Sequence, residues 1–211
     1  MRVKELFLRH PGLKSQAKEI LAACRVVEKA FRAGNKLLLC GNGGSASDCE
    51  HISGEFLKSF MKKRPLDKKY TAALKKQFGA EGRFIAENLE KGYPAIPLVS
   101  FPAVLTAYAN DRVPVLCFAQ LVNALGRPGD VLLGLSTSGN SANVNYACMA
   151  AKAKGITVIG LMGRDGGKMK KLCDTAIVIP GRDTPAIQEL HLPVYHVLCE
   201  EVEARLEKRK E

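Results

Sequence analysis

The residues best suited to chemistry in this chain fall into two pairs. Only four histidines occur in 211 residues, at positions 10, 51, 191 and 196. Glu55 follows His51 by four residues, which sets the two side chains one turn apart on one helix face. Gln188 and His196 are eight apart, a little over two turns, again roughly on one face with Leu192 between them. Two nitrogens and two oxygens from two helices could complete a tetrahedral site for Zn²⁺ or a similar ion. Spacing alone does not decide the matter. His-x-x-x-Glu recurs by chance, and a single helical His is more often a hydrogen-bonded core or surface residue.

Two loops carry a second kind of chemistry. "GNGGS" (41–45) follows the apolar run Leu37-Leu38-Leu39, and "STSGNS" (136–141) follows "VLLGLS". Glycines let the backbone approach an anion closely, and the hydroxyls of Ser and Thr add donors. A helix starting behind each loop contributes free N–H groups and a partial positive charge. A phosphate or a polyhydroxylated chain suits such a place; the bland alternative is a pair of tight turns. Neither loop matches G-x-G-x-x-G or G-x-x-x-x-G-K-[ST], which argues against dinucleotides and nucleoside triphosphates.

The elements that must position these residues read as an α/β chain. Helical spacing runs over 13–33 and stops at Gly34. A short strand follows at 36–40, then a helix from Ser45 to about 62. Strands are expected at 95–100, 131–136, 156–163 and 175–180. Helices are expected at 101–110, 113–126 and Ala142–Lys154, with a long last one from Thr184 to about 208. The strands are short, apolar on both faces and separated by helices, the pattern of a parallel sheet covered on both sides. The length suits one domain.

Composition narrows the partners. Charged residues make up 25% and apolar ones 46%, ordinary for a globular domain. No apolar run approaches the ~20 residues of a membrane span. The N-terminus has charges through its middle and no secretory pattern, so cytoplasmic residence without a membrane is expected. Seven cysteines without a C-x-x-C pair read as buried reduced thiols. The net charge is +11, and residues 57–83 account for +7 of it with nine Lys/Arg against Asp67 and Glu81. That segment reads as a solvated helix face or a lid, with nucleic acid the lesser alternative.

The blocks "LLCGNGGSASDCEHISGEF", "YPAIPLVS", "ANDR", "GDVLLGLSTSGNSANV", "ITVIGLMGRDGGKM" and "IQELHLPVYHVL" resemble, in order, those of the sugar-isomerase (SIS) domain family. Within it they are most similar to the phosphoheptose isomerase branch. The resemblance implies a three-layer, flavodoxin-like fold with a five-stranded parallel sheet, long N- and C-terminal helices, and no nucleotide. It implies a single domain over 1–211 with a basic insertion at about 58–92. It also implies a homotetramer and an aldose–ketose isomerase acting on a phosphosugar through an enediol. The zinc ligands, one ion per subunit, fall on His51, Glu55, Gln188 and His196, and the acid/base pair on Glu55 and His196. Substrate contacts fall on Asn42, Gly43, Gly44, Ser45, Asn110, Asp111, Ser136, Thr137, Ser138, Ser141 and Gln188. The alternative is a non-catalytic phosphosugar-binding or regulatory SIS protein. The chain departs from the pattern at Lys58 and Ser59, where many members carry an Arg, and at Pro185-Ala186, where charged residues are usual.

Overall fold

The computed structural model describes residues 3–207. Five strands form one all-parallel sheet in the order β2-β1-β3-β4-β5. They are β1 (Leu37–Cys40), β2 (Ala95–Pro97), β3 (Val131–Ser136), β4 (Thr157–Gly163) and β5 (Thr175–Ile179). The chain lays down β1, steps outward to β2, then returns to place β3 on the other side of β1, pairing Leu37 with Val131 and Cys40 with Gly134. Beyond the carboxyl ends of such a pair is where an open α/β sheet binds its ligand. The two Gly/Ser loops leave β1 and β3 at that point.

Alternation along the strands divides the core into two layers. Leu37, Leu39, Leu133 and Ile159 join one cluster with α1 (Val3–Arg9), α2 (Ala17–Arg32), α3 (Gly44–Leu57) and α8 (Thr184–Glu207). Leu38, Cys40, Leu132 and Val158 join the other with α6 (Cys117–Leu125) and α7 (Ala142–Ala153). Strand residues buried on both faces explain why the apolar runs lack alternation. All seven cysteines are free; five are buried and two half-buried. Burial pushes the Cys24 and Cys148 thiols up to about 12. Among the described residues no helix is long and apolar enough to cross a membrane.

Several boundaries differ from the sequence expectation. The helix expected from 13 begins at Ala17, because Pro11–Gln16 winds as a tighter 3₁₀ turn behind the separate helix α1. The strand expected over 95–100 ends at Pro97 and passes into a 3₁₀ turn at Leu98–Ser100. β2 is an edge strand, and Pro97 has no N–H to extend a ladder. The helix expected over 113–126 opens with a turn at Pro114–Leu116 before α6. α5 (Pro102–Asp111) precedes it. The last helix is seen to Glu207, and residue 208 lies outside the described residues.

The largest correction concerns the basic segment. α3 stops at Leu57, not near 62, and Lys58 is extended. Residues 59–64 then turn back against the body. The Ser59 amide donates to Glu90 Oε2 at 2.9 Å, and the Lys91 amide to the Arg64 carbonyl at 2.9 Å. Arg64 is not solvated: it is fully buried. Its Nη1 and Nη2 donate to the carbonyls of Phe56 and Glu55, both at 3.1 Å. Its Nε lies 3.3 Å from Glu203 Oε1, and its guanidinium stands 5.0 Å over the Tyr93 ring. Glu203 also accepts from the amides of Phe60 and Met61, at 3.0 and 2.9 Å. The cation thus satisfies the last carbonyls of α3, where a positive charge is favourable. The solvated helix exists but comes later, as α4 (Lys68–Asn88), capped by Asp67 and kinked at Gly79. It buries only Leu74 and Gly82.

Two outcomes are expected from this packing. Arg64→Met strands Glu203 in the interior and should cost about 3–5 kcal/mol. Arg64→Met with Glu203→Gln should recover part of that, as read by urea denaturation, because the amide removes the unpaired charge and keeps an acceptor for the Phe60 and Met61 amides. His191 is also fully buried, and burial holds its pKa down to about 4, with the Met162 backbone opposing weakly. The fold needs the neutral ring while the unfolded chain takes up a proton below about 6.5, so stability should fall as pH drops from there toward about 4. His191→Gln should lose less over the same range.

Candidate functional site

α3 leaves β1 through Gly43, whose φ of 55° and ψ of −123° suit only glycine. Gly44 needs glycine for a different reason. A Cβ there would fall 1.8 Å from Gln188 Nε2, so the missing side chain is the space that α8 occupies. The contact brings the start of α8 against the first loop and aligns the two helices that carry the metal-ligating candidates.

His51, Glu55 and His196 do come together. One ligand atom from each lies within 4.8 Å of the others. His51 Nε2 is 3.1 Å from Glu55 Oε1 and 3.4 Å from His196 Nε2. His51 is 42% exposed at the side chain and Glu55 only 12%, so the group opens to solvent on one side. Burial and then the neighbouring His51 ring lower the pKa of His196, with Glu55 and Glu200 opposing. Its ring is therefore neutral near pH 7, with a lone pair to offer. Glu55 Oε2 is buried without a hydrogen-bond partner, and Lys58 Nζ stands 3.8 Å away. Two ring nitrogens and a carboxylate with one buried oxygen lacking a hydrogen-bond partner could hold a metal ion.

The fourth expected ligand, Gln188, stands against Gly44 and close to Asp48. Asp48 and Tyr195 escaped the sequence reading. The Tyr195 hydroxyl lies 3.2 Å from Asp48 Oδ1 and 3.0 Å from His51 Nδ1. Burial raises the Asp48 pKa, while Tyr195, His51 and Gln188 oppose the rise. The signal was present in part: Asp48 is three residues before His51, on the same helix face, and Tyr195 adjoins His196.

The second loop folds around its own glycine. Gly139 has φ +63°, and a Cβ on it would meet the Gly166 carbonyl oxygen at 2.0 Å. Its carbonyl accepts from the Met169 amide at 2.9 Å. Asn140 ties the same two segments: its Nδ2 donates to the Ser138 carbonyl at 3.0 Å and its Oδ1 accepts from the Lys168 amide at 3.1 Å. Ser136 is buried, with its Oγ 2.9 Å from Ser141 Oγ, and Ser138 Oγ accepts from the Asn140 amide at 3.1 Å. Thr137 is half-buried beside them.

The two loops are one structure. Asn42 of the first and Asn143 of α7 exchange a reciprocal amide pair at 2.9 and 2.8 Å. Sequence reading did not single out Asn143. Ser45 is buried, packed against Gly41. Asn110 donates to Asp111 at 2.9 Å, and Asp111 lines a shallow cleft with Tyr108, Arg112 and Gln120. The lining of that cleft includes neither loop, so within one chain these two expected contacts are not joined to the rest.

Comparison with known proteins agrees with the fold. The family model described as the SIS domain matches residues 8–92 and 98–163. A phosphoheptose isomerase from Crocosphaera subtropica is 44% identical over 181 residues, covering 86% of this chain and 79% of that protein. One from Clostridium acetobutylicum is 40% identical over 188 residues, covering 89% and 83%. The solved phosphoheptose isomerase of Neisseria gonorrhoeae superposes with a TM-score of 0.74 at 31% identity, covering 95% of this chain and 94% of that one.

Gly139 offers a direct test of the second loop. Gly139→Ala drives a methyl into backbone at a left-handed φ, which should displace 136–141 and abolish binding of inorganic phosphate. Ser138→Ala removes one hydroxyl and should weaken it only several-fold, about 1 kcal/mol. Isothermal titration on both variants checks the order, and equal binding by Gly139→Ala and the parent would refute it.

Proposed function

This chain belongs to the SIS-domain family, in its phosphoheptose isomerase branch, and on that premise we propose that it is an aldose–ketose isomerase of a phosphosugar. The preferred substrate in this reading is sedoheptulose 7-phosphate, converted to a heptose 7-phosphate through an enediol. The carrying observation is the His51–Glu55–His196 group on helices adjoining two loops that an Asn42–Asn143 pair holds together. A phosphosugar needs both parts: an anion cradle for the phosphate and a proton-moving pair at the other end.

In the reaction, Ser136, Thr137, Ser138 and Ser141 hold the phosphate, and Asn42, Gly43, Gly44 and Ser45 face the hydroxyls. Binding at these remote groups orients the reacting carbons. Glu55 and His196 form the acid/base pair. One takes the proton from carbon and the other serves the neighbouring oxygen. Glu55 has an oxygen for each demand, Oε1 beside His51 and Oε2 without a hydrogen-bond partner. The neutral His196 ring accepts or returns a proton without first losing one. His51, Glu55, Gln188 and His196 would hold one Zn²⁺ per chain, which supplies Lewis-acid polarisation of the carbonyl and hydroxyl when bound. The reading extends to a cytoplasmic homotetramer in which residues 1–211 make one SIS domain with a basic insertion at 58–92. The open side of the metal group and the separate position of Asn110 and Asp111 favour completion of the site by a second copy.

Proton exchange followed by NMR in D₂O with sedoheptulose 7-phosphate tests the activity. The parent protein should exchange and isomerise, and metal analysis should return about one zinc per chain. Glu55→Gln should lower turnover by roughly 10²–10⁴-fold while phosphosugar affinity stays within a few-fold. Turnover of Glu55→Gln at the parental rate would remove Glu55 from the mechanism. A parent that binds phosphosugars but converts none is a binding protein instead.

A further inference from the structure

His51 is the most exposed member of the metal group, yet its ring is the one with a defined support. The support comes from Tyr195, buried on α8, whose hydroxyl bridges two residues of α3. The phenol has one proton to give and two neighbours to satisfy, Asp48 Oδ1 at 3.2 Å and His51 Nδ1 at 3.0 Å. A carboxylate oxygen only accepts, so the O–H is given to Asp48. The phenol oxygen then has lone pairs left, and His51 satisfies one by donating from Nδ1–H. An imidazole protonated at Nδ1 carries a bare Nε2. Nε2 is the atom that faces Glu55 Oε1 and His196 Nε2, and because the Glu55 carboxylate at 3.1 Å competes for a proton on Nε2, the bond to Tyr195 has to outweigh it. The chain Asp48–Tyr195–His51 thus ends in a lone pair pointed into the centre.

The same residue sets the ring planes. Tyr195 meets His51 edge-on with centroids 5.4 Å apart, and His196 edge-on at 5.1 Å. Its phenyl ring occupies the position between α3 and α8 from which both ligand rings are packed. Packing and hydrogen bonding are therefore separable, because phenylalanine keeps the first and deletes only the second.

We propose that Tyr195, held by Asp48, is a positioning residue that fixes the tautomer of His51 and so presents Nε2 to the metal. The proposal rests on the metal-centre reading given above and not on which sugar the protein converts. Outer partners of this kind are worth 10–100-fold in metal affinity when removed.

The experiment compares parent, Tyr195→Phe and Asp48→Asn. Zinc affinity is measured by competition with a chromophoric chelator, and the His51 tautomer by ¹⁵N NMR of the zinc-free, histidine-labelled protein. The His51 signals are assigned from their loss in His51→Gln. The parent should show a protonated Nδ1 and a bare Nε2. Tyr195→Phe should bind zinc roughly 10–100-fold more weakly and should shift His51 to a mixture of tautomers or to the Nε2–H form. Asp48→Asn should move both readouts the same way, and it carries the test if Tyr195→Phe does not fold. An affinity loss with the tautomer unchanged would reduce Tyr195 to a packing residue and overturn the proposal. So would an unchanged affinity. If the parent binds no zinc, the metal reading falls, and the tautomer comparison alone decides whether Tyr195 places the proton of His51. If zinc binds as expected but no phosphosugar turns over, the isomerase reading fails while this one stands.

Discussion

The placement of β3 beside β1, with β2 on the far side, is the constraint from which the rest follows. It puts the carboxyl ends of β1 and β3 next to each other and sends their following helices away to opposite faces of the sheet. Two backbone loops with glycine geometry are thereby forced into contact. The Asn42–Asn143 pair is the local consequence: an amide of the first loop and one in the first turn of α7, about a hundred residues apart in sequence, satisfy one another across the gap. On the proposed reading, a phosphate cradle and a sugar-facing loop become one site because the topology gives them no other place to be.

Helix α3 is held at both ends, and this holds His51 and Glu55. At its start the missing side chain of Gly44 lets Gln188 of α8 seat against the backbone. At its end the buried Arg64 takes the carbonyls of Glu55 and Phe56 and pairs with Glu203, again on α8. A buried guanidinium is expensive to desolvate, and here the cost is offset by two hydrogen bonds to carbonyls and the ion pair with Glu203. Here the acceptors are the carbonyls that a terminating helix leaves unsatisfied. The basic insertion is thus attached to the body by the charge least like the rest of it. α4 adds Lys68, Lys69, Lys75 and Lys76 on an exposed surface, where they raise the local potential for anions without touching the centre.

What the sequence made legible was whatever repeats along the chain. Strands buried on both faces give unbroken apolar runs, helices give their spacing, and the loops announce themselves by composition. The His51–Glu55 pair was legible because a single helix fixes both residues. Its meeting with His196 was open on spacing alone, since that depends on how α3 and α8 pack. The side chains that local pattern does not reveal share one cause. Arg64 sat in a run of nine basic residues, and nothing local separates the one that is buried from the eight that are not. Tyr195, Asp48 and Asn143 matter only through partners more than ninety residues away. The short β2 was overextended because Leu98 and Val99 are apolar; the chain turns there despite them. The N-terminal helix α1 was missed because seven residues give too few turns to show a period.

The site divides its labour between two kinds of material. On the proposed reading the phosphate loop owes its shape to backbone: Gly139, and Gly166 and Gly167 on the segment packed against it, take positive φ, and they fix where the loop's hydroxyls stand. That suits a group whose charge and shape do not change during reaction, and it is why preorganised donors are worth more than flexible ones. The end proposed to move protons is made of side chains, with a carboxylate that has one oxygen beside His51 and one without a hydrogen-bond partner, and a ring whose pKa burial lowers. That suits a group whose charge must change. The Asp48–Tyr195–His51 chain lies between these extremes: it is built from side chains, yet it is anchored on the buried Tyr195 and has one hydrogen-bonding pattern that satisfies all three. On the proposed reading the fold places rigidity where the substrate is constant and adjustable protons where it is transformed.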